Sequence, residues 1–212
     1  MSLNSLINIL GKYNFFLDGH PSRVFFYSSL MVKKIPLPPE EKELITAAAY
    51  LHDIGKVFTE SKVLHKNGTL NEDERTLVRR HTLDSVLLLS HFGFDQDLIK
   101  MVLLHHERVD GQGYPLGLKD EEIPLGAKII AIADAFDSLT SWRPYRTPIP
   151  IKEAEKELIR GANNQFDRYL LRLFIHSLDD MFKGKISILK VENFLSFENI
   201  LETIPAKREV KF

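Results

Sequence analysis

Apolar side chains recur at intervals of three and four residues along most of this chain, which is the periodicity of amphipathic α-helices. Glycine, proline and polar residues separate the periodic segments, which predict helices over 3–13, 20–35, 39–54, 72–92, 97–106, 125–136, 151–161 and 167–182. Only Lys185 to Val191 is strand-like. We therefore predict an all-α fold, with a compact helical bundle over 1–184 and a small C-terminal appendage, 185–212, of unknown role that contains this stretch.

Composition narrows the range of functions. With 212 residues and no cysteine, the chain suits one main domain without disulfides or thiolate metal sites, so any metal must use nitrogen and oxygen ligands. A formal net charge of -1 argues against binding to a DNA or RNA polymer, but allows a small anionic substrate. There is neither an apolar run of membrane-spanning length nor a signal-peptide pattern, so we expect a cytoplasmic protein with no membrane partner.

Histidine and aspartate occur where helices are otherwise apolar. The pairs His52-Asp53 and His105-His106 lie at helix ends, and Asp134 lies within the apolar run 129–136. Burying such groups without partners is costly. Each of them alone is explained equally well by a buried salt bridge or a helix cap. Together with His20 and His81, they offer seven ligands, enough for two metal ions if Asp53 bridges them.

A ligand set of this kind favours Fe, Mn, Zn, Co or Ni over Mg or Ca. Two such ions about 3.5–4 Å apart turn a shared water into a hydroxide near neutral pH and suit phosphoryl hydrolysis. The sequence therefore indicates metal-assisted attack on a phosphate ester.

Several short segments carry a specific family resemblance. They are His20-Pro-Ser-Arg-Val24, His52-Asp-Ile-Gly-Lys56, Arg80-His81, His105-His-Glu-Arg108, Asp110-Gly-Gln-Gly-Tyr-Pro115, Ile123-Pro-Leu-Gly126, Ala133-Asp-Ala-Phe-Asp137, Arg143-Pro-Tyr-Arg146 and Gln165-Phe-Asp167. In these residues and their order, the chain resembles the HD-GYP family, a branch of the HD-domain phosphohydrolases, over roughly residues 14 to 182.

The resemblance implies an HD-domain helical bundle with a binuclear or trinuclear metal centre. It also implies hydrolysis of cyclic di-GMP, or a related cyclic dinucleotide, to the linear dinucleotide or on to GMP. By position, one metal is bound by His20, His52, Asp53 and Asp134, and the other by Asp53, His81, His105 and His106. We expect Fe or Mn in both places, with Zn, Co or Ni as alternatives.

Further residues acquire expected roles from the same motifs. Asp53 and Lys56 are the expected catalytic residues, and Lys56 would neutralise a phosphate oxygen or help the leaving group unless it is a surface cation. The expected substrate-binding residues are Gly111, Gly113, Tyr114, Asp137, Arg143 and Arg146. Asp137 could instead hold a metal ligand, whereas Glu107 and Asp110 suit structural roles. Members with three metals have a glutamate four residues before the first histidine, and Phe16 stands there, which predicts two ions.

Two other functions are compatible with these motifs. A non-catalytic reader would bind the dinucleotide or a partner protein, but such proteins usually lose metal ligands. A di-iron oxygenase would use a similar centre, but would not need Tyr114, Arg143 and Arg146 for a phosphate. A second copy of the chain and a signalling protein are the candidate protein partners.

Overall fold

The computed structural model describes residues 19–66, 68–142 and 147–184. Within these ranges the α-helices are α1 (His20–Val32), α2 (Pro39–Leu51), α3 (Ser61–Leu64), α4 (Glu72–Arg79), α5 (His81–His91), α6 (Gln96–Leu104), α7 (Leu125–Thr140), α8 (Ile151–Arg160) and α9 (Arg168–Phe182), with 3₁₀ turns at Ile54–Phe58 and Asp120–Glu122. These residues form isolated β-bridges but no strand, which confirms the all-α prediction. The helix predicted over 3–13 and the appendage 185–212 lie outside the described residues.

Several helix boundaries differ from the prediction. The helix predicted over 20–35 ends at Val32, and the helix predicted over 125–136 continues to Thr140. The helix predicted over 72–92 is two helices, because Arg80 separates α4 from α5. Helices α2 and α6 end before His52 and His105, earlier than predicted. The short helix α3 lies between the helices predicted over 39–54 and 72–92.

The start of α4 agrees with its sequence. The Asn71 side chain accepts a hydrogen bond from the Glu74 backbone N–H at 2.8 Å, and the Glu74 carboxylate accepts one from the Asn71 N–H at 2.8 Å. This reciprocal pair is a capping box, which satisfies two N–H groups that a helix start leaves open. The Asn71 and Glu74 groups therefore cap the first turn of α4.

Helix α7 lies at the centre of the bundle and contacts α1, α2, α6, α8 and α9. Its buried face includes Ile129, Ile130 and Phe136. The Phe136 ring meets Tyr27 of α1 at 4.9 Å and Phe174 of α9 at 5.1 Å between centroids, both in edge-to-face geometry. Because α7 packs against five other helices, the backbone positions of Asp134 and Asp137 are determined by the packing of the bundle. No helix of the described ranges combines the length and apolarity needed to cross a membrane.

A glycine allows the turn after α2 to approach α5. The Gly55 N–H donates to Ser85 Oγ at 2.8 Å. A Cβ atom at Gly55 would lie 2.1 Å from the His81 carbonyl oxygen and 2.5 Å from the Ser85 nitrogen. Both are backbone atoms of α5, so no side-chain movement would relieve the clash. This approach brings the His52-Asp53 pair next to His81.

We expect Gly55→Ala to lower the free energy of unfolding by about 3 kcal/mol, because the new methyl group would clash with two backbone atoms of α5. Gly126→Ala is the matched control, since its Cβ would meet the Met101 sulfur at 1.9 Å and the flexible methionine can move away. Urea denaturation of both variants provides the comparison. An equal or smaller loss for Gly55→Ala would contradict the close backbone contact.

Candidate metal centre

Several helix ends and the interior of α7 bring seven potential ligands together in two groups. One group is Asp53, His81, His105 and His106, and the other is His20, His52 and Asp134. Within each group, one nitrogen or oxygen of every member lies within 4.8 Å of the others. This grouping matches the two sets expected from the sequence, with Asp53 as the residue to be shared.

Asp53 lies between the two groups. Its Oδ2 is 3.4 Å from His20 Nε2 and 3.3 Å from His52 Nε2, and its Oδ1 is 3.3 Å from His81 Nε2. The carboxylate thus directs one oxygen to each group, which is the arrangement that a bridging ligand requires.

Three of the histidines are oriented by the same backbone contact. His52 Nδ1 lies 2.8 Å from the Ala49 carbonyl oxygen, His81 Nδ1 2.6 Å from that of Val78, and His105 Nδ1 2.6 Å from that of Val102. Because a carbonyl only accepts, Nδ1 must carry the proton in each ring. In the neutral imidazole, the Nε2 lone pair then faces the cluster, as metal binding requires.

His20 is oriented by a carboxylate. Its Nδ1 donates to Asp137 Oδ2 at 2.7 Å, while its Nε2 lies 3.3 Å from Asp134 Oδ1. Asp137 also accepts from Arg23 Nε at 2.6 Å. Burial alone would lower the pKa of His20, but Asp137, Asp53 and Asp134 together raise this pKa to about 9. The raised pKa marks a negative field that would also attract a metal cation.

Burial keeps the other group in its metal-binding form. It lowers the pKa of His105 to about 3 and lowers the pKa values of His81 and His106, so these rings are neutral near pH 7. Burial opposes ionisation of Asp53, but Lys56 and His52 lower the pKa of this carboxyl well below its usual range. Neutral imidazoles beside an ionised carboxylate are the ligand forms that a divalent ion needs.

Several buried ligand atoms find no hydrogen-bond partner within the described part of the chain. They are the Nε2 atoms of His52, His81 and His105 and Oδ1 of Asp53. Each such atom costs about 1–3 kcal/mol when it is left unpaired. Divalent transition metals bind imidazole nitrogen and carboxylate oxygen, so the residues present fit the metal ions that the motifs imply.

A cleft of about 610 Å³ opens beside this centre. Asp134, His105 and His106 line one part of it, and Gly113 and Tyr114 line another. The Tyr114 ring stacks on His106, with 4.7 Å between centroids and 26° between planes. The cleft therefore gives a ligand direct access to the candidate metal-binding side chains.

The other predicted site residues differ in how closely they approach the centre. Lys56 Nζ donates to Asp53 Oδ2 at 2.5 Å, so this lysine lies at the centre and is not a surface cation. Asp137 is directed at His20, which favours the ligand-holding role over substrate contact. Gly111 has a positive φ of 78° in the loop before Tyr114. Arg143, Arg146 and Phe16 lie outside the described residues.

Sequence reasoning missed two arginines near the site. Arg23 contacts Asp137, and its position one helical turn after His20 was a usable signal. Arg79 lines the cleft beside Tyr114. No local pattern distinguishes Arg79 from its neighbour Arg80, because only the tertiary fold brings one of them to the tyrosine.

The loop that carries Tyr114 is held by a buried carboxylate. Glu107 accepts backbone N–H groups from Leu116 at 2.6 Å, Gly117 at 3.1 Å and Leu118 at 3.0 Å. Gly113 packs directly against the same stretch, since its Cβ would lie 2.5 Å from Glu107 Cα. The structural role expected for Glu107 is consistent with these contacts.

We expect Glu107→Ala to lower the free energy of unfolding by about 3 kcal/mol, because three backbone donors lose a charged acceptor. The control is Glu121→Ala, an exposed glutamate of the following turn, for which we expect a change within about 0.5 kcal/mol. Thermal and urea unfolding would measure both. Equal stabilities of the two variants would show that Glu107 does not hold the loop.

Comparison with known proteins identifies the family. The sequence matches the HD domain family over residues 4–170, which is well over half of the chain. The chain belongs to the HD-domain family. Its two groups of histidine and aspartate thus lie within an HD domain, and its motifs assign it to the HD-GYP branch.

Individual relatives agree with this assignment. A cyclic di-GMP phosphodiesterase of Thermotoga maritima is 36% identical over 173 residues, which is 80% of this chain and 47% of the relative. The 3'3'-cGAMP-specific phosphodiesterase 1 of Vibrio cholerae is 36% identical over 154 residues, 72% of this chain and 36% of the relative. The chain thus spans less than half the length of either relative.

A solved structure supports the fold. Bd1817, a HDG"Y"P protein from Bdellovibrio bacteriovorus, superposes with a TM-score of 0.62 at 23% identity, over 79% of this chain and 52% of that one. The HD-domain helical bundle expected from the sequence is therefore confirmed.

Metal binding should stabilise this HD domain, because ions that bind only the native cluster shift the folding equilibrium. At a free ion concentration of 100 times Kd, the gain is about 2.7 kcal/mol. We expect Fe(II) or Mn(II) to raise the unfolding temperature of chelator-stripped protein, and Ca²⁺, which prefers oxygen ligands, to have little effect. The double variant His81→Ala/His105→Ala should lose the response. Absence of a shift with Fe, Mn, Zn, Co and Ni alike would count against a metal centre.

Proposed function

We propose that the chain is a metal-dependent phosphodiesterase that hydrolyses a cyclic dinucleotide, first to the linear dinucleotide. The preferred substrate is cyclic di-GMP or a close relative such as cyclic GMP-AMP. The observation that carries this proposal is the position of Asp53, with one oxygen towards His20 and His52 and the other towards His81. A carboxylate shared in this way suits two ions acting on one phosphate.

Two divalent ions, Fe or Mn by preference, would acidify a shared water and stabilise the attacking and leaving oxygens. The protein's own contribution begins with Asp53, which holds the two groups at a fixed separation. His52, His81 and His105 keep their Nε2 lone pairs on the cluster through their backbone contacts. Lys56 Nζ contacts Asp53, which places its ammonium group beside the ligand cluster. From there it would offset charge on a phosphate oxygen or donate a proton to the leaving oxygen.

Substrate recognition would take place in the cleft. Tyr114 offers its hydroxyl and ring, and burial raises the pKa of that hydroxyl, so it stays a neutral hydrogen-bond donor. Gly111 and Gly113 would let the backbone approach the substrate closely. Arg143 and Arg146 would bind phosphate through their planar forks. The names of the relatives favour cyclic di-GMP and cyclic GMP-AMP as the first substrates to try.

Product analysis distinguishes this function from the alternatives. Metal-loaded protein is incubated with cyclic di-GMP, cyclic GMP-AMP and cyclic di-AMP, and the products are resolved by chromatography over time. Accumulation of a linear dinucleotide supports the proposal. Binding without turnover would indicate a non-catalytic reader, and oxygen consumption without phosphate chemistry would indicate an oxygenase.

Asp53→Asn tests the shared carboxylate with almost no change of shape. We expect turnover to fall by roughly a thousandfold, because the amide lacks the charge needed to hold both ions. Asp97→Asn, at an exposed position on α6, is the control and should behave like the unaltered protein. Metal content is measured on both variants. Near-normal turnover in a folded, metal-loaded Asp53→Asn protein would overturn the assignment.

A further inference from the structure

Two arginines that line the cleft, and a third that is adjacent in sequence to one of them, differ in what they contact. Arg108 pairs with Asp110, at 3.0 Å and 2.6 Å, and Arg80 pairs with Asp84 at 3.1 Å. Arg79 instead lies over the Tyr114 ring, with its Cζ 5.1 Å from the ring centroid. Within the described parts of the chain, no carboxylate forms an ion pair with Arg79.

The position of Arg79 is linked to the metal centre in two ways. It is the last residue of α4, two residues before His81, so the backbone that places the histidine also places the arginine. Its side chain rests on Tyr114, which in turn stacks on His106. A cation held against an aromatic face is attracted by the ring, which limits the orientations of this exposed guanidinium.

Arg79 also changes the charge balance of the cleft. Of the other charged side chains that line it outside the metal centre, Arg108 is neutralised by Asp110, Glu107 binds backbone N–H groups and Glu157 pairs with Arg160. Among the described lining residues, Arg79 therefore supplies positive charge that no carboxylate offsets.

We propose that Arg79 binds the phosphate of the cyclic dinucleotide that is not being cleaved. This inference rests on the proposed function. Such a substrate carries two phosphodiesters on opposite sides of its ring, so only one can reach the metal centre at a time. The other phosphate keeps its negative charge in the cleft. A guanidinium that lies on a tyrosine still presents the N–H groups along its edge, which suit two phosphate oxygens.

The test compares substrates with two phosphates and with one. Cyclic di-GMP has the second phosphate, whereas bis(p-nitrophenyl) phosphate has a single phosphodiester and tests the metal centre alone. For Arg79→Ala, the loss of kcat/KM on cyclic di-GMP should exceed the loss on the simple diester by about tenfold to a hundredfold. The extra loss on cyclic di-GMP should come mainly from a higher KM. Arg79→Lys keeps the positive charge and should recover part of the lost kcat/KM on cyclic di-GMP.

Arg80→Ala is the matched control, because Arg80 is adjacent in sequence but pairs with Asp84. The kcat/KM of Arg80→Ala should fall little on either substrate. Equal losses on both substrates for Arg79→Ala would mean that the arginine acts through Tyr114 or the metal centre, and would overturn the inference. So would unchanged kinetics on cyclic di-GMP, or no recovery in Arg79→Lys. If the unaltered, metal-loaded protein hydrolyses the simple diester but no cyclic dinucleotide, the proposed function itself fails.

Discussion

One hydrogen bond, repeated just after three helix ends, orients three of the seven candidate ligands. In His52, His81 and His105, the ring Nδ1–H donates to the backbone carbonyl three residues earlier. A continuous helix would use that carbonyl for its own i+4 amide, so the contact favours ending the helix at the histidine. The same contact selects the tautomer whose Nε2 lone pair faces the cluster. The ends of the helices and the chemistry of the ligands are thus determined together.

This dependence explains where the sequence prediction failed. Apolar periodicity correctly located the main helices, since burial of one face in the bundle imposes it on most of them. It also predicted one helix over 72–92, because the apolar pattern is unbroken at Arg80. The structure ends α4 at Arg79, and the His81 Nδ1–H donates to the Val78 carbonyl. Apolar periodicity indicates which face of a helix is buried. It does not indicate where a side chain donates a hydrogen bond to a backbone carbonyl.

The candidate site was more predictable than the helix ends. Histidine and aspartate in apolar surroundings are rare enough that seven of them, in family order, indicated both groups of ligands. Arg79 and the orientation of Asp137 were not predictable in this way. Each depends on a contact between segments distant in sequence: Arg79 with Tyr114, and Asp137 with His20. Spacing along one helix gives the direction of a side chain, whereas its partner depends on how the helices pack.

His20 is oriented by a different kind of contact. Its Nδ1 donates to a side-chain carboxylate, whereas His52, His81 and His105 donate to backbone carbonyls. The carboxylate belongs to Asp137 of α7. Its Oδ2 accepts from His20 at 2.7 Å and Arg23 Nη2 at 3.1 Å, and its Oδ1 accepts from Arg23 Nε at 2.6 Å and Ser141 at 2.9 Å.

These four contacts occupy both oxygens of Asp137, and the side chain is buried. A substrate could reach this carboxylate only by displacing Arg23 or releasing His20, and either change would disturb the ligand that Asp137 orients. The geometry therefore favours positioning over recognition for Asp137. Helix α7 then carries both a potential ligand, Asp134, and, one turn later, the carboxylate that orients another, so its burial at the centre of the bundle fixes both at once.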